Sequence, residues 1–338
     1  MQFDYLVFIG RFQPFHQGHQ YVIRQALQHA KQVIVLVGSA NSPRTLSNPF
    51  DFFERCSMIL GSFATDDASR IICVPLADAI YNDNRWLLDA QRCIMDNTDD
   101  GANIAIIGHD KDESSYYLGL FPQYGSFLVE NFENLSATPL RHAYFGDDDA
   151  ARDRAYARMT DASRQFLQAF MQTPDYAALK QQLGEIQRYQ AAWQHAPYPP
   201  IFTTTDALIV QSGHILLIER GGDYGQGLYA LPGGFVDPHE NLLSACLREV
   251  HEETNLPIDA QTLTSHLKAS QTFDAPKRSQ RGRTITTVYY FQLPATAQLP
   301  VLTAGDDAKR AFWLPLAKLD GQQMFEDHYS IICKMLGI

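Results

Sequence analysis

Short apolar runs that end at glycine alternate with amphipathic stretches through the first part of the chain. Tyr5–Ile9 runs into Gly10, Gln32–Val37 into Gly38, and Asn103–Ile107 into Gly108. Arg70–Leu76 is a further run, and Ser126–Val129 a weaker fifth. Continuous runs of this kind predict strands buried on both faces. Gln20–Ala30, Phe50–Phe63 and Trp86–Met95, between them, have helical periodicity. The alternation predicts βαβ units and a Rossmann-like α/β domain with a parallel sheet. Ligands of such sheets sit beyond the C-terminal ends of the strands. Gly10–His19, Gly38–Arg44 and Gly108–Asp112 fall there.

From Asp147 to Trp193 the pattern turns helical and polar. DDDAARDRAYARM and DYAALKQQLGEIQRYQAAW read as two helices, with Pro174 between them. APYPP at 196–200 is a proline-rich break. Beyond it, Thr203–Val210 and His214–Ile218 predict strands around a Ser212-Gly213 turn. Leu243–Glu253 predicts a helix, and Ala269–Phe273, Thr284–Leu293 and Ala311–Leu314 further strands. A last helix is expected near Phe325. This texture predicts an α+β domain with a mixed sheet. The expected organisation is therefore 1–146 α/β, 147–200 a helical connector, and 201–338 α+β. Whether the middle segment is a rigid connector or an appendage of the first domain stays open.

A chain of 338 residues suits two domains at roughly 150 residues each. The net charge of −11, with no basic run, argues against a nucleic-acid polymer as partner. Small phosphorylated ligands need only a few local cations and remain open. The five cysteines form no CxxC pair, which argues against a disulfide framework or a zinc site. Reduced thiols in a cytoplasmic protein are expected. MQFDYLVFIGRF lacks the basic start of a signal peptide, and no apolar run approaches the ~20 residues of a membrane span.

The richest chemistry lies in GFVDPHENLLSACLREVHEETNL, Gly234 to Leu256. Glu249, Glu252 and Glu253 stand at i, i+3 and i+4, on one helix face. Three carboxylates there repel one another unless a hard cation takes their oxygens. Leu243, Leu247 and Val250 fall on another face, and Arg248 can pair with Glu240. The plain alternative is a solvated acidic face. The whole string resembles the Nudix family pattern GX5EX7REUXEEXGU, U being aliphatic. Only the late glycine departs from it. Asn255 stands there, at a helix end where asparagine tolerates the left-handed cap. The resemblance implies hydrolysis of a nucleoside-diphosphate derivative at a divalent cation, Mg²⁺ or Mn²⁺, held by Glu249, Glu252 and Glu253. Glu252 and Glu253 are also the expected catalytic residues. The general base is one of these glutamates or lies outside the box. Downstream, Lys277, Arg278, Arg281 and Arg283 form a local cationic cluster in an acidic chain. It is either a solvated loop or a phosphate and ribose site. The arrangement resembles Nudix enzymes acting on ADP-ribose, which implies Arg281 and Arg283 as binding residues.

At the other end, Gly10-Arg11-Phe12-Gln13-Pro14-Phe15-His16-Gln17-Gly18-His19 joins the first strand to a helix. A helix N-terminus offers free amides and partial positive charge to phosphate. Gly18 lets backbone approach closely. Ser136-Ala137-Thr138-Pro139-Leu140-Arg141 has helix-start chemistry, with Ser136 or Thr138 as cap. Together they resemble the (H/T)xGH and SxTxxR motifs of the nucleotidylyltransferases. Gly38-Ser39, Arg44, Asn48-Pro49-Phe50 and Glu54-Arg55 resemble the archaeal-type nicotinamide-mononucleotide (NMN) adenylyltransferases, as do Gly108–Asp112 and Ser114–Tyr117. The resemblance implies His16, His19 and Arg141 as catalytic residues. It implies Gly10, Arg11, Gly18, Ser136 and Thr138 as binding ATP phosphates. Asn84 and Trp86 are implied for NMN, the indole stacking on the ring, although Trp86 also reads as a core residue.

The two halves in this order resemble the bifunctional NMN adenylyltransferase/ADP-ribose pyrophosphatase family over nearly the whole chain. The implied ligands are ATP, NMN, NAD and ADP-ribose, with no nucleic acid or membrane partner. A homo-oligomer is left open. Two alternatives remain: a non-catalytic ADP-ribose sensor in the second half, or an adenylyltransferase for another nucleotide conjugate.

Overall fold

The computed structural model describes residues 2–108, 119–305 and 308–338. The chain divides into two compact units, Met1–Lys180 and Gln181–Ile338. In the first, β1 (Phe3–Gly10), β2 (Ala30–Val37), β3 (Ile71–Pro75), β4 (Ile104–Gly108) and β5 (Gly125–Leu128) form one parallel sheet in the order β3-β2-β1-β4-β5. Leu6, Val7 and Val33–Val37 are all fully shielded, which is why these strands read as unbroken apolar runs. The order reverses beside β1, so a crevice opens at the carboxyl ends of β1 and β4.

Helices α1 (Gln17–His29), α2 (Phe52–Leu60), α3 (Thr65–Ala68) and α4 (Asp83–Met95) cross between strands, and α5 (Ala137–Phe145) follows β5. The segment expected as two helices holds three: α6 (Asp149–Tyr156), α7 (Asp161–Phe170) and α8 (Pro174–Ala191). Thr160 caps α7 by accepting from the Ser163 amide, a start signal hidden inside the polar stretch. Pro174 opens α8, where its missing N–H costs nothing. The boundary between the units falls inside α8.

Arg55 on α2 is wholly buried. Its Nη1 donates to the carbonyls of Arg11 (2.8 Å) and Gly38 (2.5 Å), and its Nε to Asp51 (3.0 Å). It thus ties the loops leaving β1 and β2 to one helix. Gln13 adds a clasp: its amide donates to Asn48 Oδ1 and the Phe50 carbonyl, and accepts from the Phe50 N–H. Phe50 anchors edge-on against Phe166 and Phe170. Arg44 pairs with both oxygens of Glu54. The motif residues Arg44, Asn48, Phe50, Glu54 and Arg55 therefore form a scaffold beneath the loop after β1.

The second unit is a mixed sheet of β6 (Ile201–Gln211), β7 (His214–Arg220), β10 (Leu267–Phe273), β11 (Arg283–Gln292) and β12 (Ala308–Pro315), in the order β10-β11-β6-β7-β12. Short β8 (Tyr229–Ala230) pairs with β7, and β9 (Gly233–Phe235) with β6. Only β6 and β11 are parallel. The β6–β7 turn places Ser212 (φ 48°) and Gly213 (φ 72°) in left-handed conformations. Helix α9 (Leu242–Thr254) packs Cys246 and Val250 against Ile209, Leu216 and Phe291. A short α10 (Ala260–Ser265) follows, and the last helix, α11, runs His328–Leu336 rather than from Phe325. All five cysteines are free thiols. Among the described residues no helix is long and apolar enough to cross a membrane.

Replacing Arg55 by Leu strands the buried Gly38 carbonyl and removes the side-chain ties to Arg11 and Asp51. At about 1–3 kcal/mol for each unmet buried group, Arg55→Leu is expected to lower the urea midpoint of the first unit well below that of Lys180→Leu, measured by circular dichroism. Equal midpoints would refute the strut.

Candidate functional site

In the first unit, His16 is the N-cap of α1 and is 2% exposed. Its ring stacks on that of His19 at 3.6 Å, and His19 Nδ1 accepts from the His16 N–H (3.3 Å). A neutral His19 then carries its proton on Nε2, as a donor. Gly18 leaves room for this arrangement: a Cβ there would stand 3.1 Å from the His16 ring, a tight contact. His16, Gly18, His19, Ser136 and Ala137 line one cleft of about 170 Å³. The two motifs, far apart in sequence, thus meet at the N-termini of α1 and α5.

Ser136 is the N-cap of α5, but its side chain makes no capping bond, so its hydroxyl faces other demands. Thr138 is exposed in the first turn, outside the residues lining the cleft. Arg141 is buried and donates to the Gln13 carbonyl at 2.8 Å. Burial, and secondarily the nearby charge of Arg11, pull its pKa down to about 10. Arg11 itself is exposed beside Gly10 at the end of β1. Two guanidinium groups that repel each other at the mouth of a sheet leave a place for an anion. Asn84 is exposed on α4, and Trp86 lies half-buried against the core with Phe121 at 6.4 Å. Residues 109–118, with His109–Asp112 and Ser114–Tyr117, lie outside the described residues.

In the second unit, a cavity of about 350 Å³ opens between α9, β6, β7, β9 and the start of α11. Its lining includes the carboxylates Asp206, Asp237, Glu249, Glu253 and Glu326 and the arginines Arg220, Arg248, Arg278 and Arg281. Gly234 lets α9 approach: a Cβ there would collide with the Glu249 carboxylate. Glu253, 8% exposed, accepts from the Gly233 N–H at 2.9 Å. Desolvation pushes its pKa up to about 8, and raises Glu249 as well. Arg248 bridges the cluster, donating to Glu240 (2.6 and 3.1 Å), Glu249 (2.8 Å) and Glu252 (2.8 Å). Asn255 ends α9 at φ 45°, ψ 39°, the left-handed cap foreseen for it.

Among the described residues no three acidic, His or Cys side chains converge on one point in a metal-binding arrangement. The donors nonetheless suit a hard cation. They are all oxygen, and Glu253 and Glu249 are desolvated enough that their negative charge is disfavoured without a counter-ion.

Of the downstream arginines, Arg281 lines the cavity and Arg283 does not. Arg283 turns to Asp274, donating to its carbonyl and pairing with its carboxylate. Arg278 is locked by Asp327 through two 2.9 Å bonds, both residues buried. Sequence reasoning missed Asp206, Arg220, Glu326 and His328. Glu326 accepts from the Tyr224 hydroxyl at 2.8 Å and holds φ 45°. His328 Nδ1 accepts from the Leu231 N–H, and burial depresses its pKa to about 3. No spacing rule links these positions; the fold alone assembles them. The nonglycine φ at Glu326 has no sequence signal.

The NUDIX domain family matches residues 202–335, and the cytidylyltransferase-like family matches 7–111. A bifunctional NMN adenylyltransferase/ADP ribose pyrophosphatase from Francisella tularensis, solved with AMP and a Mn ion, aligns with a TM-score of 0.91 at 35% identity, covering 99% of both chains. The nicotinamide/nicotinic acid mononucleotide adenylyltransferase of Acinetobacter baylyi is 41% identical over 181 residues, 53% of this chain and 93% of its own length. An ADP-ribose pyrophosphatase of Methanocaldococcus jannaschii is 35% identical over 127 residues, 38% of this chain and 68% of its own. A histidine-bearing cleft where two helix N-termini meet and a carboxylate-lined Nudix cavity thus share a chain whose likeness to the Francisella enzyme runs end to end, and the chain belongs to the bifunctional NMN adenylyltransferase/ADP-ribose pyrophosphatase family.

Proposed function

We propose that the first site joins NMN to ATP, giving NAD and pyrophosphate, and that the second cleaves ADP-ribose to AMP and ribose 5-phosphate. The adenylyltransferase occupies residues 1–146, the hydrolase 201–338, and 147–200 connects them. The meeting of His16-Gln17-Gly18-His19 with Ser136 in one cleft is the observation that carries the first assignment. The gathering of Glu249, Glu253, Arg220 and Arg281 in one cavity carries the second.

In the first reaction the 5′-phosphate of NMN attacks the α-phosphorus of ATP, and pyrophosphate leaves. No covalent intermediate is needed, so positioning and charge stabilisation do the work. His16, His19, Arg11 and Arg141 stabilise the triphosphate as charge shifts to the leaving group. Gly10, Gly18, Ser136 and Thr138 hold phosphate oxygens, and Asn84 and Trp86 hold the nicotinamide. In the second reaction water attacks one phosphorus of ADP-ribose. Glu249, Glu252 and Glu253 hold Mg²⁺, or Mn²⁺ in its place. When bound, the cation supplies neutralisation of the diphosphate and acidifies the attacking water. Arg248, which now bonds Glu249 and Glu252, and the Gly233 amide, which bonds Glu253, hold these carboxylates beside the cavity where they would take the cation. Arg281 holds diphosphate oxygens, and Arg283 binds the ribose end after leaving Asp274.

Glu253→Gln is expected to cut ADP-ribose hydrolysis at least about 10²-fold and spare NAD synthesis, with His19→Ala doing the reverse. Chromatography of products from ATP plus NMN, and separately from ADP-ribose, reads both; loss of both activities in either variant refutes two independent sites. ADP-ribose bound but left intact by the unmutated chain with Mg²⁺ would make the second unit a sensor. Trp86→Ala should raise the KM for NMN roughly tenfold through lost stacking, whereas an unchanged KM returns Trp86 to the core.

The Glu253 carboxyl titrates near 8 when folded, against an ordinary 4.5. The folded chain therefore keeps a proton that the unfolded chain loses, and stability falls as pH rises from about 4.5 to about 8. At pH 8, Mg²⁺ should raise the calorimetric melting temperature of the second unit, and Glu253→Gln should remove most of both effects. A melting temperature indifferent to Mg²⁺ at that pH would contradict the site.

A further inference from the structure

Arg281 stands among three aromatic rings in the wall of the hydrolase cavity. Its guanidinium carbon lies 5.2 Å from the centre of Tyr224, 5.5 Å from Phe235 and 5.8 Å from Tyr189. Its buried Nε–H has no hydrogen-bond partner among the described residues. Tyr224 and Phe235 belong to the stretch that matches the NUDIX family. Tyr189 does not: it lies on the last turn of α8, ahead of residue 202.

Tyr189 is not an isolated contact. Its ring packs on Phe202 at 5.4 Å, as does that of Trp193, and Phe202 meets Phe235 edge-on at 5.9 Å. The neighbouring Gln190 donates its side-chain amide to the Gln280 carbonyl at 3.1 Å. The end of α8 therefore grips the arginine loop twice, at the backbone before Arg281 and at the guanidinium itself.

The grip answers a physical problem. Arg220 lines the same cavity, where burial first and the charge of Arg281 second lower its pKa. The third cation, Arg278, is neutralised by Asp327, but no ion pair of Arg281 is found among the described residues. Asp206 and Glu326 in the same lining attract Arg281, but side-chain entropy and the charge of Arg220 work against one fixed position for it. Aromatic faces attract the guanidinium without consuming its N–H edge, so the donors stay available for phosphate.

We propose that Tyr189, with Gln190, is a positioning pair of the hydrolase site, holding Arg281 with its N–H edge toward the diphosphate of the substrate. The end of α8 is then a working part of the second active site. This rests on reading that site as an ADP-ribose hydrolase with Arg281 on the substrate.

The test compares Tyr189→Ala, Tyr189→Phe, Gln190→Ala, Arg281→Ala and the double variant Tyr189→Ala/Arg281→Ala in the full chain. The calorimetric melting temperature of the second unit in each reports that this unit is folded. Tyr189→Ala should raise the KM for ADP-ribose about five- to tenfold, the size of a partly desolvated cation–π contact, with kcat within about twofold. Tyr189→Phe, which keeps the ring, should restore the KM, and Gln190→Ala should raise it less. The double variant should be no worse than Arg281→Ala, since both changes remove one interaction. A KM raised in Arg281→Ala but not in Tyr189→Ala overturns the proposal and leaves the hydrolase reading standing. Additive losses, or a Tyr189→Phe as poor as Tyr189→Ala, overturn it too. An unaltered KM in Arg281→Ala overturns both the role of Arg281 and the proposal. Should the unmutated chain bind ADP-ribose without cleaving it, the hydrolase reading fails, and calorimetric Kd values for the same variants decide the positioning role by the same comparison.

Discussion

Arg55 and Arg278 lie in the interiors of their units, and a guanidinium cannot stay in such a place without partners on its N–H groups. Desolvating a charge costs several kcal/mol, and only well-aimed acceptors return it. Arg55 finds backbone carbonyls from the ends of β1 and β2. Arg278 finds both oxygens of Asp327. Each requirement fixes a loop that would otherwise be loose: the one after β1 that carries the paired histidines, and the one before β11 that carries Arg281. Satisfying a buried charge is thus how this chain makes its site loops rigid.

The carboxylates of α9 are the complementary case. Arg248 gathers Glu240, Glu249 and Glu252, whereas Glu253 accepts from the Gly233 amide and sits raised in pKa by burial. The helix is brought there by apolar packing of Cys246 and Val250, strong enough to hold an unfavourable charge beside β9. That imbalance is what a divalent cation relieves, which makes ligand affinity and stability two readings of one interaction.

The two sites handle the same kind of bond with opposite equipment. The first brings His16 and His19 to the amino ends of α1 and α5 in one cleft. The second mixes carboxylates and arginines in the lining of one cavity. The aromatic rings around Arg281 show why the connector matters to the second. A cation repelled by its neighbour needs faces rather than acceptors to hold it, and one of those faces comes from α8.

Much of this was legible in the sequence, because periodicity and short motifs report local constraints. The apolar runs ending at Gly10, Gly38 and Gly108 located the parallel strands, since both faces of each are buried. The spacing of Glu249, Glu252 and Glu253 located a carboxylate face, and Asn255 its left-handed end, because a helix repeats at a known angle. The third helix at Asp161–Phe170 was hidden, since its Thr160 cap lies within an already polar stretch. The roles of Arg55, of Arg281 against Arg283, and of Asp206, Glu326 and His328 belonged to the tertiary structure. Neighbouring arginines on one loop look alike in sequence, and only the path of the backbone decides that Arg281 enters the cavity while Arg283 turns to Asp274. Burial, which shifts pKa and demands partners, is a property of the packed chain and of no segment of it.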